Sequence, residues 1–344
     1  MKLVMTLLAR DEADVVDAQL AFHLNAGVDY VIATDNRSQD GTTEILESYA
    51  RDGCLHLIRE QGEDMRLGEW VTRMARLAAT DFGADWLINA DADEFYWPRG
   101  GSLKDVLAAI PDSYGCVRAF VRTFVLRPGG EASFFAERMT VRLSPRAPIG
   151  HPASPFRPGA KIVHRADRDI TIADGTHALL GSSLRLLRGW YPIEMLHFPV
   201  RTPEQGERKY VTATSAWERD PTRATPHYLT TAYAAYRGGR LREHFRSLAV
   251  DDEALVKGVA DGSLVVDDRL RNALAVLGSG SPSFRPPTGE NPLSFVRSDP
   301  EDQVNYAVDA AALVDADVVR LRRRLDELET RVAVLERTPG REVA

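Results

Sequence analysis

Apolar and polar positions alternate along the first ~110 residues in a regular rhythm. Residues 3–9, "LVMTLLA", form a short apolar run that predicts a strand buried on both faces. Residues 14–25 carry Val16, Leu20 and Leu24 at helical spacing, and Gly27 follows as a stop. "YVIATD" (30–35) predicts the second strand, and "NRSQDGT" after it is turn chemistry, with Thr42 or Thr43 placed to cap a helix through Tyr49. Residues 55–60 predict a third strand, 68–80 a helix and 86–91 a fourth strand. Strands alternating with helices of this length imply βαβ units, hence a mainly parallel sheet covered on both faces.

The pattern changes after a helix over residues 102–110 that Pro111 stops. Residues 114–126 are rich in β-branched and aromatic side chains and predict a long strand, with 137–143 as a pairing candidate. Short strands are expected near 161–164, 170–172 and 193–198, and residues 203–276 turn helical. The composition of 278–292, "GSGSPSFRPPTGENP", is that of a linker. Beyond it Ala311, Val314, Val318, Leu321, Leu325, Leu328, Val332 and Leu335 step by three and four without a break, a heptad seam. With Val318 at position a, the g and e residues pair as Asp317–Arg322, Arg324–Glu329 and Arg331–Glu336 across a parallel partner, each of opposite sign. The expectation is a homo-oligomer through residues 311–336, dimer or trimer; the plainer alternative is one amphipathic helix folded back on the body.

Composition narrows the class. Of 344 residues 44% are hydrophobic and 27% charged, the profile of a globular protein. A net charge of −7 argues against a nucleic-acid partner, which would call for a basic surface. Cys54 and Cys116 follow no metal-ligand spacing and form no disulfide framework. The opening apolar run is too short for a signal peptide or a membrane span. A cytoplasmic protein without a transmembrane segment is expected.

The chemistry gathers at "DWLINADADEF". A hydrophobic strand ends in Asp91, Asp93 and Glu94, and Asp35 ends the second strand in the same way. Ligands of open parallel sheets bind outside the carboxyl ends of the strands, so Asp35 and Asp91 are expected to face one crevice. Two acids at i and i+2 suit a hard divalent cation, Mg²⁺ or Mn²⁺, able to bridge a pyrophosphate. A solvated turn is the ordinary alternative. The aromatic run Phe95, Tyr96, Trp97 that follows weighs against it.

Four stretches, "LLARDEAD" (7–14), "HLNAGVDYVIATDNRSQDGTTEIL" (23–46), "WLINADADEF" (86–95) and "MLHFPVRTPEQGERK" (195–209), resemble the GT-A-type glycosyltransferases, the family 2 group in particular. The resemblance implies an α/β, Rossmann-like fold with a mainly parallel sheet, helices on both faces, a helical C-terminal region and the terminal coiled-coil helix. It implies a nucleotide-sugar-binding catalytic domain over 1–200, a helical acceptor-side region over 201–277, a linker over 278–299 and the coiled coil over 300–337. Arg10, Glu12, Asp35, Asn36 and Asp91 would then line the nucleotide pocket, Asp91 and Asp93 hold the metal, and Glu94 and Phe95 shape the acceptor side. A further ligand in such sites is a histidine; of His164, His177 and His197, the last is preferred because it ends an apolar run. Arg201, Arg208 and Lys209 become candidates for the leaving diphosphate, or else the solvated face of a helix. The Glu-Asp pair that supplies the base in many relatives has no copy here, which leaves Asp174 and Glu194 as candidates.

The implied activity is metal-dependent transfer of a hexose from a nucleotide-diphosphate sugar, UDP-linked, to an acceptor hydroxyl on a glycan, a small molecule or a lipid carrier met at the inner face of the membrane. A nucleotidyltransferase would want a glycine-rich basic loop where "ARDEAD" stands. The alternative from another class is a catalytically silent oligomeric scaffold or glycan-binding protein.

Overall fold

The computed structural model describes residues 1–62, 66–129, 133–147, 159–219 and 227–278, with His151, Ala153, Leu293, Phe295 and part of the segment 310–332. The expected linker lies almost wholly outside these residues, as do Leu335 and Glu336.

The opening rhythm produces β1 (Leu3–Ala9), α1 (Val16–Asn25), β2 (Tyr30–Asp35), α2 (Thr42–Arg51), β3 (Leu55–Arg59), α3 (Leu67–Thr80) and β4 (Trp86–Asp91). These strands pair in parallel, in the order β3-β2-β1-β4. Odd residues of β1 (Leu3, Met5, Leu7) pack with Phe22 and Leu20 of α1. On the other face Val4, Ile32 and Leu87 meet Val71, Met74, Ala75 and Ala78 of α3. The fold is therefore α/β, with one parallel half-sheet sandwiched between helices.

The second half is mixed. After β4 come β5 (Glu94–Pro98), α4 (Leu103–Ala108), β6 (Cys116–Thr123), α5 (Phe135–Arg138), β7 (Val141–Leu143), β8 (Ala160–Arg165) and β9 (Ile193–His197). The eight-stranded order is β3-β2-β1-β4-β8-β6-β9-β5, with β8 antiparallel to both its neighbours, β5 antiparallel to β9, and β6 parallel to β9. Only Ala92 and Asp93 separate β4 from β5, yet the two strands stand fourth and eighth in the sheet. Three residue steps span at most about 11 Å. Four strand spacings in a flat sheet would need about 19 Å. The sheet must therefore curl until its far edge returns beside the end of β4, and it is this curl that assembles the site.

Several expectations shift. The aromatic run at 94–98 forms a strand, β5, whose partner β9 lies about a hundred residues further along the chain. The stretch 137–143 divides into α5 and β7, and β7 pairs with β10 (Leu264–Val266) rather than forming a ladder with β6; one bridge, Phe124–Arg142, joins it to the residue just past β6. Residues 170–172 contribute a single bridge, Ile172–Leu179. Within the helical stretch, α6 (Pro203–Arg219), α7 (His227–Arg237) and α8 (Leu241–Ser247) share a core of Val200, Tyr210, Ala232, Leu241 and Phe245. α9 (Asp252–Ala260) and α10 (Arg269–Val276) flank β10, and Leu270 and Leu274 of α10 bury themselves in the main core. Among the described residues no helix is long and apolar enough to cross a membrane.

Candidate functional site

Three chain segments converge beyond the carboxyl ends of β1, β2 and β4. The loop after β1 takes a left-handed turn at Asp11 (φ 53°), and the loop after β2 does the same at Arg37 (φ 60°). Strain of this kind in residues other than glycine persists only where surrounding bonds over-determine it. Here they do: Asp11 N–H donates to Ser38 Oγ at 3.0 Å, Gln39 N–H to Asp11 Oδ1 at 2.7 Å, and Glu12 N–H to Thr42 Oγ1 at 2.9 Å.

Between these loops lie the residues expected in the nucleotide pocket. Arg10 Nη1 donates to Asn36 Oδ1 at 3.0 Å, and Asn36 Nδ2 donates to the Gly62 carbonyl at 2.9 Å. Asp35 is buried with its carboxylate turned to its own loop: Oδ1 accepts from Ser38 Oγ at 2.6 Å and Oδ2 from Thr43 Oγ1 at 2.5 Å. It closes the turn into α2.

The curl brings β9 to the end of β4. Glu94 stands opposite His197 in the β5–β9 ladder, and Phe198 N–H donates to the Asp93 carbonyl at 2.9 Å. Asp93, Glu94 and His197 each offer a ligand atom within 4.8 Å of the others. Asp91, expected in the metal set, instead lies half-exposed with Oδ2 3.2 Å from Lys161 Nζ, while Glu94 Oε1 lies 2.8 Å from the same nitrogen. Two carboxylates and an imidazole form a donor set suited to a divalent cation. Near neutral pH two of the three are in the ligating form, while Glu94 keeps its proton. Burial pushes the His197 imidazole down to about 4, so it is neutral, the form that ligates. Burial opposes ionisation of Asp93, but Lys209, His197 and Arg201 hold its carboxyl well below the usual range. Burial pushes Glu94 up to about 8, with Lys161 opposing and Asp91 and Asp93 adding to the rise.

Two cations arrive with the segment after β9. Arg201 is fully buried; Nε and Nη2 fork onto Asp14 at 2.7 Å each, Nη2 also meets Glu12, and Nη1 lies 4.0 Å from Asp93. Lys209 Nζ donates to Asp93 Oδ2 at 2.6 Å and to Glu12 Oε1 at 2.9 Å. Both are thus built into the crevice, whereas Arg208 is exposed. Lys161 carried no motif and was missed, and Asp14 ends the stretch "LLARDEAD" without having been given a role. The one available signal for Lys161 was a charge set between Ala160 and the apolar pair Ile162, Val163.

The other expected residues go elsewhere. Phe95 was expected on the acceptor side, but it is fully buried in the main core, edge-to-face with Phe22 and Phe198. His164 lies in a closed chain: Thr6 donates to Asn89 at 2.8 Å, Asn89 Nδ2 meets His164 Nε2 at 2.9 Å, and His164 Nδ1 donates to the Arg165 carbonyl at 2.8 Å. His177 Nδ1 lies 2.8 Å from the Ala160 carbonyl. Glu194 is buried against Arg122 at 2.5 Å, Arg269 at 2.6 Å and Arg99 at 3.4 Å; burial alone would raise its pKa, but the guanidiniums hold it well below the usual carboxylate range. Asp174 is exposed in a short 3-10 turn, where Oδ1 accepts from Gly68 N–H at 2.7 Å and caps the first turn of α3.

No known family profile matches the chain. No curated protein matches it either. Among solved structures, it is similar to residues 1–349 of TarS from S. aureus in complex with UDP, at 14% identity over 62% of this chain, with a TM-score of 0.32. The overlap spans 65% of that chain, just under two thirds. The same protein in complex with UDP-GlcNAc aligns at 14% identity over 70% of this chain and 72% of its own, with a TM-score of 0.35. Glucosyl-3-phosphoglycerate synthase from M. tuberculosis, in complex with Mn²⁺, UDP and glucosyl-3-phosphoglycerate, aligns at 18% identity over 35% of this chain and 44% of its own, with a TM-score of 0.24. Overlaps of this extent leave the function to be argued from the residues.

Proposed function

We propose that this protein is a metal-dependent glycosyltransferase that moves a hexose from a nucleoside-diphosphate sugar, UDP-linked, to an acceptor hydroxyl. The observation that carries the reading is the convergence of Asp93, Glu94 and His197 at the carboxyl end of β4, with Arg201 and Lys209 beside them. A carboxylate cluster with an imidazole and two fixed cations is what a metal–diphosphate would need for both halves of its charge.

In this reading Asp93 and His197 hold Mn²⁺ or Mg²⁺, with Asp91 and Glu94 on its flank. When bound, the cation would offset negative charge on the departing diphosphate. Arg10, Asn36 and the loop closed by Asp35 border the nucleoside, and Lys209 and Arg201 lie next to the diphosphate position. The bond from the anomeric carbon to the diphosphate oxygen breaks as the acceptor oxygen bonds to that carbon. The acceptor's proton goes to a base. Of the two candidates Asp174 is assigned this role: it is exposed on the rim where α3 begins, beyond the carboxyl end of β3, whereas Glu194 is committed to its arginines.

The test is a thermal-shift panel of UDP-, GDP- and dTDP-sugars with and without Mn²⁺, on the wild type and Asp93→Asn. A ligand that binds only the folded state raises the melting temperature. A rise for UDP-sugar that needs Mn²⁺ and vanishes in Asp93→Asn is expected. A panel without any shift would overturn the transferase reading in favour of a silent scaffold.

A further inference from the structure

Among the described residues, none covers the apolar seam of the C-terminal helix. The described residues between 310 and 332 are helical, and Ala310, at their start, packs against Phe120, Ala160 and Tyr191 of the body. From there on the apolar positions face outward: Val314, Val318, Leu321, Leu325, Leu328 and Val332 are between 49% and 63% exposed. A helix folded back on the body would bury this stripe. Instead the helix touches the body at Ala310, and the described residues beyond it present the stripe to solvent.

We propose that a second copy of this chain covers it, as a parallel two-stranded coiled coil that carries two bodies at one end. Three features select that occupant. The spacing is an unbroken alternation of three and four over residues 311–335, which keeps one seam facing one partner helix. Val318, Leu325 and Val332 stand at a, and Leu321, Leu328 and Leu335 at d; β-branched residues at two of the three a positions, over leucine at d, favour two strands. In register, Asp317 meets Arg322, Arg324 meets Glu329 and Arg331 meets Glu336, so every flanking position from 317 to 336 faces its opposite charge on the other copy. The inference stands apart from the reading of the crevice and survives if that reading fails.

The test is sedimentation equilibrium of the full chain at micromolar concentration. Wild type is expected at twice the chain mass, and Leu321→Asp with Leu328→Asp at the chain mass with an unchanged melting temperature of the body. Arg324→Glu alone should weaken the dimer at least tenfold, and adding Glu329→Arg should restore it, which a merely sticky helix would not do. Leu328→Cys should cross-link to its own copy under mild oxidation, as a d position does in a parallel pair. A monomeric wild type, a trimer, a dimer that survives the double aspartate substitution, or Leu328→Cys chains that fail to cross-link would each overturn the proposal.

Discussion

At the scale of single residues the crevice turns on Lys209. Its ammonium holds two carboxylates that are themselves almost wholly buried, Asp93 at 2.6 Å and Glu12 at 2.9 Å. Removing one partner of a buried pair costs about 3–5 kcal/mol, because the other charge is left uncompensated. The Lys209 side chain is 35% exposed, so solvent screening reduces this to roughly 1–3 kcal/mol. Lys209→Ala is therefore expected to melt several degrees lower in metal-free buffer. The same substitution uncovers the oxygen that a cation would use at Asp93. Mn²⁺ alone should raise the melting temperature of Lys209→Ala further than that of the wild type. A smaller rise would show that Lys209 helps to hold the cation rather than competing with it.

At the scale of elements, the meeting of α3 with the turn at Asp174 separates structure from chemistry. Gly68 leaves no room for more: a Cβ there would stand 2.8 Å from Asp174 Oδ1 and 3.1 Å from the Ile172 carbonyl. Gly68→Ala should therefore destabilise the protein despite alanine's better helix propensity, as a denaturant midpoint would register. Asp174→Asn keeps an oxygen to accept from Gly68 N–H but cannot take a proton. Its melting temperature should stay near that of the wild type while kcat falls by about 10²–10⁴, the usual contribution of a general base. Equal losses from Asp174→Asn and Asp174→Ala in stability, with kcat intact, would return Asp174 to a capping role. This junction shows where sequence reading stops. The four parallel strands and their helices were legible because each buries its neighbours in sequence, so local periodicity carries the signal. Asp91, Asp93 and His197 were legible as strand-end residues. That β5 is a strand, that Phe95 is core and that β7 pairs with β10 all depend on contacts between residues far apart in the chain, such as Phe95 with Phe22 and Glu94 with His197. No local pattern encodes these.

At the scale of the whole molecule, three buried histidines tie stability to pH. His23 is enclosed, with Nδ1 2.8 Å from the Gln19 carbonyl and Nε2 accepting from Tyr96 N–H at 3.0 Å. Burial pushes His23, His164 and His197 down to about 4, from 6.5 for a free imidazole. Because the folded pKa lies below the unfolded one, the unfolded chain binds the extra protons. The stability from keeping these rings neutral is complete above pH 6.5 and is lost as pH falls toward 4. Each ring contributes a loss of about 2 kcal/mol by pH 5, at 1.36 kcal/mol per pH unit. Glu94, pushed up to about 8, works the other way, since the folded state keeps a proton that most unfolded chains have lost at pH 5. Glu12, raised by burial, adds to that offset. Three histidines against two acids leave a net uptake of roughly one to two protons on unfolding near pH 5, a slope of about 1.4–2.7 kcal/mol per pH unit. That is a large share of the 5–15 kcal/mol that separates folded from unfolded in most domains. Denaturant unfolding at half-unit steps from pH 7 to 4.5 should show stability nearly level down to about pH 6.5, where Glu94 and Glu12 offset the histidines, and falling with acid below that. Metal-free His164→Asn should show a shallower fall, by close to one proton. A flat profile would mean that these imidazoles bind protons in the folded state, and so that the enclosures around His23 and His164 open in solution.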